Sequence, residues 1–108
     1  MKDDLVYLRH IDEAISRILA FTSAGESAFR EDLKTQDAVV RNLQVIGEAA
    51  KKVSAGTRAA HPDVPWKSMA GMRDRIVHDY FGVSIEIVWD VVKNHLPLLQ
   101  KQVARLLL

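Results

Sequence analysis

A chain of 108 residues is long enough for one hydrophobic core and too short for two, so a single domain over residues 1–108 is predicted. Its hydrophobic content of 48% and its charged content of 27% are ordinary for a globular protein. The absence of cysteine excludes disulfides, thiolate catalysis and cysteine metal sites. Because the net charge is only +1, any RNA site has to come from a local basic patch.

The N-terminal residues Met-Lys-Asp-Asp lack the apolar core of a signal peptide, and no apolar run reaches membrane-spanning length. We therefore expect a cytoplasmic protein with no membrane partner. His10, His61 and His95 have no spacing that would collect a metal, and there is no carboxylate cluster of the kind that holds magnesium. No metal and no other cofactor is expected.

Apolar residues at three- and four-residue spacing predict a first long helix from about Asp4 to Phe21. Asp3 or Asp4 can cap its start. Its apolar stripe consists of Leu8, Ile11, Ile15, Ile18 and Leu19. Small and polar residues at 22–27 break the helix, and residues 29–33 are expected to form one short turn.

A second long helix is expected to begin near Thr35 or Asp37 and to end near Val53. Its apolar stripe consists of Val39, Leu43, Ile46, Ala50 and Val53. Arg41 and Glu48 lie on the opposite face, which is either an ordinary solvated face or part of a subunit interface. We favour the solvated face for Arg41 and leave both interpretations open for Glu48.

The segment from residue 57 to residue 67 contains Pro62 and Pro65 and is predicted to be a connector. Pro65 suits the first turn of a short helix that carries Trp66 and Met69. We expect Trp66 to fill the core, not to stack on nucleic-acid bases.

A final long helix is predicted from residue 85 onwards, with Ser84 as its cap and Glu86 in its first turn. Pro97 is expected to kink it, because the missing N–H leaves the Lys93 carbonyl without its helical partner. No alternating pattern indicates a strand. The sequence therefore predicts an all-α bundle of four or five helices.

Between these helices lies Gly-Met-Arg-Asp-Arg-Ile-Val-His-Asp-Tyr-Phe-Gly at 71–82, which has the spacing of a short helix ended by Gly82. At about 100° per residue, Arg73 falls in the middle of an apolar stripe. That stripe consists of Met69, Ile76, Val77 and Tyr80. A guanidinium there is costly to bury alone, so an anion or an interface cleft is expected beside it.

His78 is about 140° round the helix from Arg73, on the side of Asp74. Asp74 precedes His78 by four residues, so its carboxylate can orient the imidazole or raise its basicity. A histidine can accept the proton of a ribose 2′-OH or donate one to a leaving oxygen, while an arginine stabilises the phosphate charge. Arg73 and His78 are therefore the candidate catalytic residues, supported by Asp74.

The pattern Arg-x4-His-x-Tyr in this context resembles the HEPN ribonuclease superfamily, and specifically its HepT-like (DUF86) toxins. The segment Arg-Asn-Leu-Gln-Val-Ile-Gly-Glu-Ala-Ala-Lys at 41–51 is also similar to that family, so the resemblance covers nearly the whole chain. Such proteins often carry Asn after the arginine. Asp74 stands there in this chain and adds a negative charge near the expected phosphate site.

The resemblance implies a HEPN-like bundle that forms a homodimer and cleaves RNA, such as a tRNA or an mRNA, without a metal. It further implies the toxin of a type VII-like HEPN/MNT toxin–antitoxin pair, whose partner is a minimal nucleotidyltransferase. In such pairs the expected product is a 2′,3′-cyclic phosphate, and Tyr80 is the expected acceptor of AMP from the antitoxin.

One alternative remains for the motif and one for the function. Arg73 and His78 could serve structure alone near a helix end, and Tyr80 could be a core aromatic with its hydroxyl at the rim. The protein would then be a non-catalytic helical module that binds a nucleotidyltransferase or nucleic acid.

Overall fold

The computed structural model describes the backbone of residues 2–78 and 84–108, with all side chains there except those of Lys2, Arg73 and residues 75–78. Helices make up most of this part, and no strand occurs within it. The helices are α1 (Lys2–Phe21), α2 (Glu26–Glu31), α3 (Leu33–Lys52), α4 (Ala55–Ala60), α5 (Trp66–His78), α6 (Ile85–Asp90) and α7 (Leu96–Leu106), with a π-helical turn at Val91–His95. The predicted all-α fold is confirmed.

Four long helical segments form the bundle: α1, α3, α5 and the continuous run from α6 through the π-helical turn to α7. α2 and α4 are helices of six residues in the connections between them. α3 packs against both α1 and α5, and α1 also packs against α7. This arrangement places α5, with its candidate catalytic positions, directly on the central helix.

The two predicted apolar stripes form the core between α1 and α3. All five residues of the α3 stripe are at most 1% exposed, and four of the α1 stripe are at most 2% exposed, with Leu19 half-buried. Ala14 joins them with 0% exposure. Burying one large aliphatic side chain stabilises the fold by about 1.5–3 kcal/mol relative to leaving it in water. Apolar spacing therefore identified the residues that hold α1 against α3.

Asp4 has a different role from the predicted helix cap, because α1 already begins at Lys2. Its carboxylate accepts hydrogen bonds from the Ser54 amide at 2.9 Å, the Ser54 hydroxyl at 2.7 Å and the Thr57 hydroxyl at 2.5 Å. These bonds hold the pKa of Asp4 below its ordinary value of 3.8, with the Thr57 bond as the largest cause. Asp4 thus ties the start of α1 to the turn between α3 and α4.

Two local capping signals explain where the structure departs from the expected helix boundaries. Asp32 caps α3, accepting from the Lys34 amide at 3.1 Å and the Thr35 hydroxyl at 2.7 Å, so the helix begins at Leu33 and not at Thr35 or Asp37. Ser54 caps α4 by accepting from the Thr57 amide at 3.3 Å. The helix α4 therefore occupies part of the segment that was predicted to be a connector, and that prediction was wrong there.

The last helical run begins as predicted and contains a π-helical turn just before Pro97, while the kink at Pro97 stays a prediction. The Ser84 hydroxyl accepts from the Ile87 amide at 3.4 Å and caps α6. Just before Pro97 the backbone widens to the π-helical turn, in which the Leu96 amide donates to the Val91 carbonyl five residues earlier. Wider turns of this kind relieve the loss of one amide donor from an α-helical ladder.

Within the described ranges, no helix is long and apolar enough to cross a membrane. The structure consists of one chain, so the homodimer stays a prediction.

Candidate functional site

α5 carries both candidate catalytic residues, and the sequence before it explains where it begins. The Pro65 carbonyl accepts the Met69 amide at 3.0 Å, so the proline directly precedes the first helical turn. Proline suits this place because the amide that it lacks would have no partner inside the helix. Trp66 and Met69 are 8% and 3% exposed, which confirms that Trp66 fills the core. The helix that begins at Trp66 continues without interruption through the motif to His78.

Arg73 and His78 are five residues apart on α5. Five residues correspond to about 7.5 Å along a helix axis and about 140° around it. The side chains of both residues lie outside the described part of the structure, and Tyr80 and Gly82 lie outside it altogether. The structure thus places Arg73 and His78 on one helix, while their catalytic roles and the role of Tyr80 stay predictions.

Asp74, between these two positions, contacts Lys51 at the end of α3. The Lys51 ammonium is 2.5 Å from the Asp74 carboxylate, and the two side chains are 41% and 46% exposed. The negative charge that Asp74 was expected to bring to the phosphate site therefore has a compensating positive charge beside it. Lys51 was not among the predicted site residues, although it ends the segment 41–51 that carries the resemblance. The sequence signal that could have indicated this contact was an acidic residue in the motif together with a lysine in that segment.

The neighbouring lysine on α3 points to another part of the bundle. The Lys52 ammonium lies 5.7 Å from the ring centroid of Tyr7 on α1. Consecutive residues of an α-helix are about 100° apart, which explains how Lys51 reaches α5 while Lys52 reaches α1. Among the described side chains, the contact of this pair with the helix that carries the motif is that of Lys51 with Asp74.

Arg41 and Glu48, whose roles were left open, differ in their surroundings. Arg41 is exposed, and its assignment to a solvated face stays a prediction. Glu48 is half-buried and lies one turn before Lys51, at the three-residue spacing that places side chains on the same side of a helix. Glu48 therefore belongs to the side of α3 that meets α5, and its part in a subunit interface stays a prediction.

The three histidines outside the motif lie on different segments of the chain. His10 is exposed beside the ring of Tyr7, and His95 is 3.3 Å from the Asp90 carboxylate. The His61 carbonyl accepts the Trp66 indole N–H at 2.9 Å, so this residue supports the start of α5. Among the residues that the structure describes, no three His, Asp or Glu side chains form a group that could hold a metal ion.

The similarity of this chain to known proteins covers almost its whole length. A family model described as "Ribonuclease HepT-like" matches residues 11–106. A probable ribonuclease HepT of Thermococcus cleftensis is 43% identical over 103 residues, which cover 93% of this chain and 92% of that protein. A protein of Methanocaldococcus jannaschii, named as a candidate RNase, is 44% identical over 97 residues, covering 89% of this chain and 80% of its own. No solved structure gives a significant match.

Proposed function

Because this chain belongs to the HepT-like ribonuclease family, we propose that it is an endoribonuclease that cleaves RNA with Arg73 and His78 of α5. The observation that carries the proposal is the family match over residues 11–106, which includes both positions and the helix that joins them. Its relatives from Thermococcus cleftensis and Methanocaldococcus jannaschii are named as a ribonuclease and a candidate RNase, which supports RNA as the substrate.

The proposed reaction uses the 2′ oxygen of the RNA as its own nucleophile. A histidine base takes the 2′-OH proton, the 2′ oxygen bonds to phosphorus, and the bond from phosphorus to the 5′ oxygen breaks. A protonated histidine donates the proton that the leaving 5′ oxygen needs. The products are a 2′,3′-cyclic phosphate and a 5′-OH, and Arg73 stabilises the charge that grows on the phosphate.

Two proton transfers on opposite sides of the phosphorus require two titrating groups. One His78 cannot readily serve both at once, whereas a homodimer that brings two copies of α5 together would supply two histidines and two arginines. We therefore include the homodimer in the proposal. Asp74 acts as a positioning residue for His78, and its exposed carboxylate contacts Lys51 at the end of α3.

We further propose that the protein is the toxin of a HEPN/MNT pair and that a nucleotidyltransferase antitoxin modifies Tyr80. The Tyr80 oxygen would attack the α-phosphate of ATP, releasing pyrophosphate and leaving AMP on the ring. Tyr80 follows Arg73 by seven residues, which is two turns of a helix. An adenylyl phosphate near Arg73 would compete with RNA for the guanidinium, by charge and by volume.

Cleavage of a labelled RNA by purified protein tests the catalytic residues. Arg73→Ala and His78→Ala should each lower the rate by about 10²- to 10⁴-fold with unchanged helical circular dichroism. Arg9→Ala and His10→Ala, both on exposed positions of α1, are the matched controls and should keep the rate. A 2′-deoxy substitution at the cleaved nucleotide should block the reaction, while a chelator should not. Cleavage that survives His78→Ala, or that requires magnesium, would contradict the proposed chemistry.

Tyr80→Phe tests the proposed control by AMP, because it removes only the acceptor oxygen. The variant should cleave RNA at the wild-type rate and should stay active after incubation with the nucleotidyltransferase and ATP. Intact-mass spectrometry should show added AMP on the wild type alone. If AMP is still added to Tyr80→Phe, the acceptor is another residue.

A further inference from the structure

The charge of this chain is distributed unevenly, although its net charge is close to zero. Residues 51–75 contain six Lys or Arg and two Asp, which gives this segment a net charge of +4. The rest of the chain contains nine Lys or Arg and twelve Asp or Glu, which gives −3. The positive segment comprises the end of α3, all of α4 and most of α5, the helix with the candidate catalytic positions. The sequence therefore concentrates positive charge in the part of the chain that leads into the motif, where an RNA site requires it.

Three cations of this segment are exposed and lack a carboxylate partner in the part of the chain that the structure describes. One is Lys52, whose ammonium lies 5.7 Å from the ring centroid of Tyr7 on α1. The other two are Arg58 on α4 and Lys67 in the first turn of α5. The only exposed acidic residue among residues 51–72 is Asp63 in the connector. The Asp74 charge is compensated by Lys51, so it does not cancel the positive charges of Arg58 and Lys67.

The register of α5 connects Lys67 with the motif. Asp74 is seven residues and position 78 is eleven residues after Lys67. Seven and eleven residues are close to two and three full turns, so the three positions lie within about 20–40° of one another on one face. The distance from Lys67 to position 78 along the axis is about 16 Å. Lys67 is therefore on the same face as the proposed base, toward the start of the helix.

Residues 51–78 offer positive charge but no exposed Phe, Tyr or Trp ring. Trp66 is the only Phe, Tyr or Trp among residues 51–78, and it is 8% exposed with its indole N–H bonded to the His61 carbonyl. Exposed aromatic side chains are what stacks on bases in single-stranded RNA. A ligand here would therefore be held through its phosphates.

We propose that Arg58 and Lys67 form a surface that binds the phosphodiester backbone of the RNA substrate beside the scissile phosphate, independently of base sequence. This inference rests on the proposed ribonuclease function. The surface would hold the strand along α5 while Arg73 and His78 act on one phosphate. Since backbone contacts release counterions, binding through it should depend on salt and not on sequence.

The test measures binding of labelled single-stranded RNA to the His78→Ala protein, which should not cleave it, over a range of salt concentrations. Arg58→Ala with Lys67→Ala should weaken binding at low salt about tenfold and lower the slope of log Kd against log salt by about 1.4, since each single-strand phosphate contact contributes about 0.7. Two oligoribonucleotides of different sequence should be affected equally.

Arg105→Ala with Lys101→Ala is the matched control. It removes one arginine and one lysine from exposed positions on α7 and changes the net charge by the same amount. The slope of log Kd against log salt for this control should equal that of the His78→Ala protein. Equal losses in the two double variants, or unchanged binding after loss of Arg58 and Lys67, would overturn the proposed surface. Cleavage of the same RNA by the wild type is measured in parallel. If the wild type cleaves while the surface is overturned, the ribonuclease function holds and only the proposed binding surface is wrong.

Discussion

Asp4 and Asp74 both contact the region where α3 ends, and they differ in their exposure to water. Asp4 is 6% exposed and receives three hydrogen bonds from Ser54 and Thr57. Asp74 has a side chain that is 46% exposed and contacts the ammonium of Lys51. One carboxylate is thus buried and held by neutral donors, and the other is held by a charge at the surface.

This difference separates structural from functional use of the same side chain. Hydrogen bonds strengthen where water is excluded, and a buried donor that loses its acceptor destabilises the fold. A half-exposed ion pair is screened and contributes only about 0.2–1 kcal/mol to stability. We therefore expect Lys51 and Asp74 to contribute less to folding than to the charge of the proposed site. We expect substitutions of Asp4 to affect stability and substitutions of the ion pair to affect activity.

The largest expected effect in this comparison is that of Asp4→Ala on stability. The substitution leaves three donors of Ser54 and Thr57 without their acceptor and should lower the midpoint of thermal unfolding by about 5–10 °C. Asp3→Ala is the matched control, because Asp3 is exposed in the same first turn of α1. Its midpoint should change little in circular dichroism melts. Equal shifts in both variants would show that charge near the helix start, and not the bonds to Ser54 and Thr57, stabilises this region.

The second expected effect is that the contribution of Asp4 to the free energy of unfolding is lost in acid. The pKa of Asp4 is lowered in the folded protein, so the unfolded state binds more protons wherever the two states differ. The contribution is therefore fully present above the ordinary value of 3.8 and is lost as the pH falls through the lower folded value. The difference in unfolding midpoint between the wild type and Asp4→Ala should be constant from pH 7 to about pH 5 and should shrink below it.

Asp32, Glu86 and Asp90 also have lowered pKa values, chiefly through hydrogen bonds from Thr35, Ser84 and Asn94 respectively. The acid sensitivity of the wild type alone therefore does not isolate Asp4, whereas its difference from Asp4→Ala does. A difference that stays constant down to pH 3 would contradict the assignment.

Local periodicity predicted most of the fold, and contacts between distant segments explain the rest. The stripes of α1 and α3 were predictable because a helix repeats its buried face every three or four residues. The role of Asp4 was not, because its partner Ser54 is fifty residues away in the chain. The cap of α3 by Asp32 was a local signal that spacing alone overlooked.

The candidate site shows the same division. The sequence motif predicted that Arg73, Asp74 and His78 share a helix, and the structure places all three on α5. It also predicted the charge problem posed by Asp74. The compensation by Lys51 depends on the packing of α5 against α3, and helical spacing within one segment cannot indicate which residues of another segment it meets.

The smallest expected effect, and the one specific to Asp74, is that of Lys51 on the binding of RNA. Lys51→Ala removes the ammonium that offsets the Asp74 charge near the proposed phosphate site, which should raise KM about threefold to fivefold at low salt, the scale of an exposed ion pair. The effect should shrink as salt is added. Lys52→Ala removes the same charge from the next residue, which faces Tyr7, and should leave KM unchanged.

A double-mutant cycle with Asp74→Asn identifies the carboxylate as the cause. Asp74→Asn alone should lower kcat modestly, because the amide keeps the shape but not the charge that supports His78. In that background Lys51→Ala should no longer raise KM, since the carboxylate charge that Lys51 offsets is absent. The measured quantity is the ratio of the two KM changes, with and without the Asp74 carboxylate. If Lys51→Ala raises KM equally in both backgrounds, Lys51 contacts the RNA directly and does not act through Asp74.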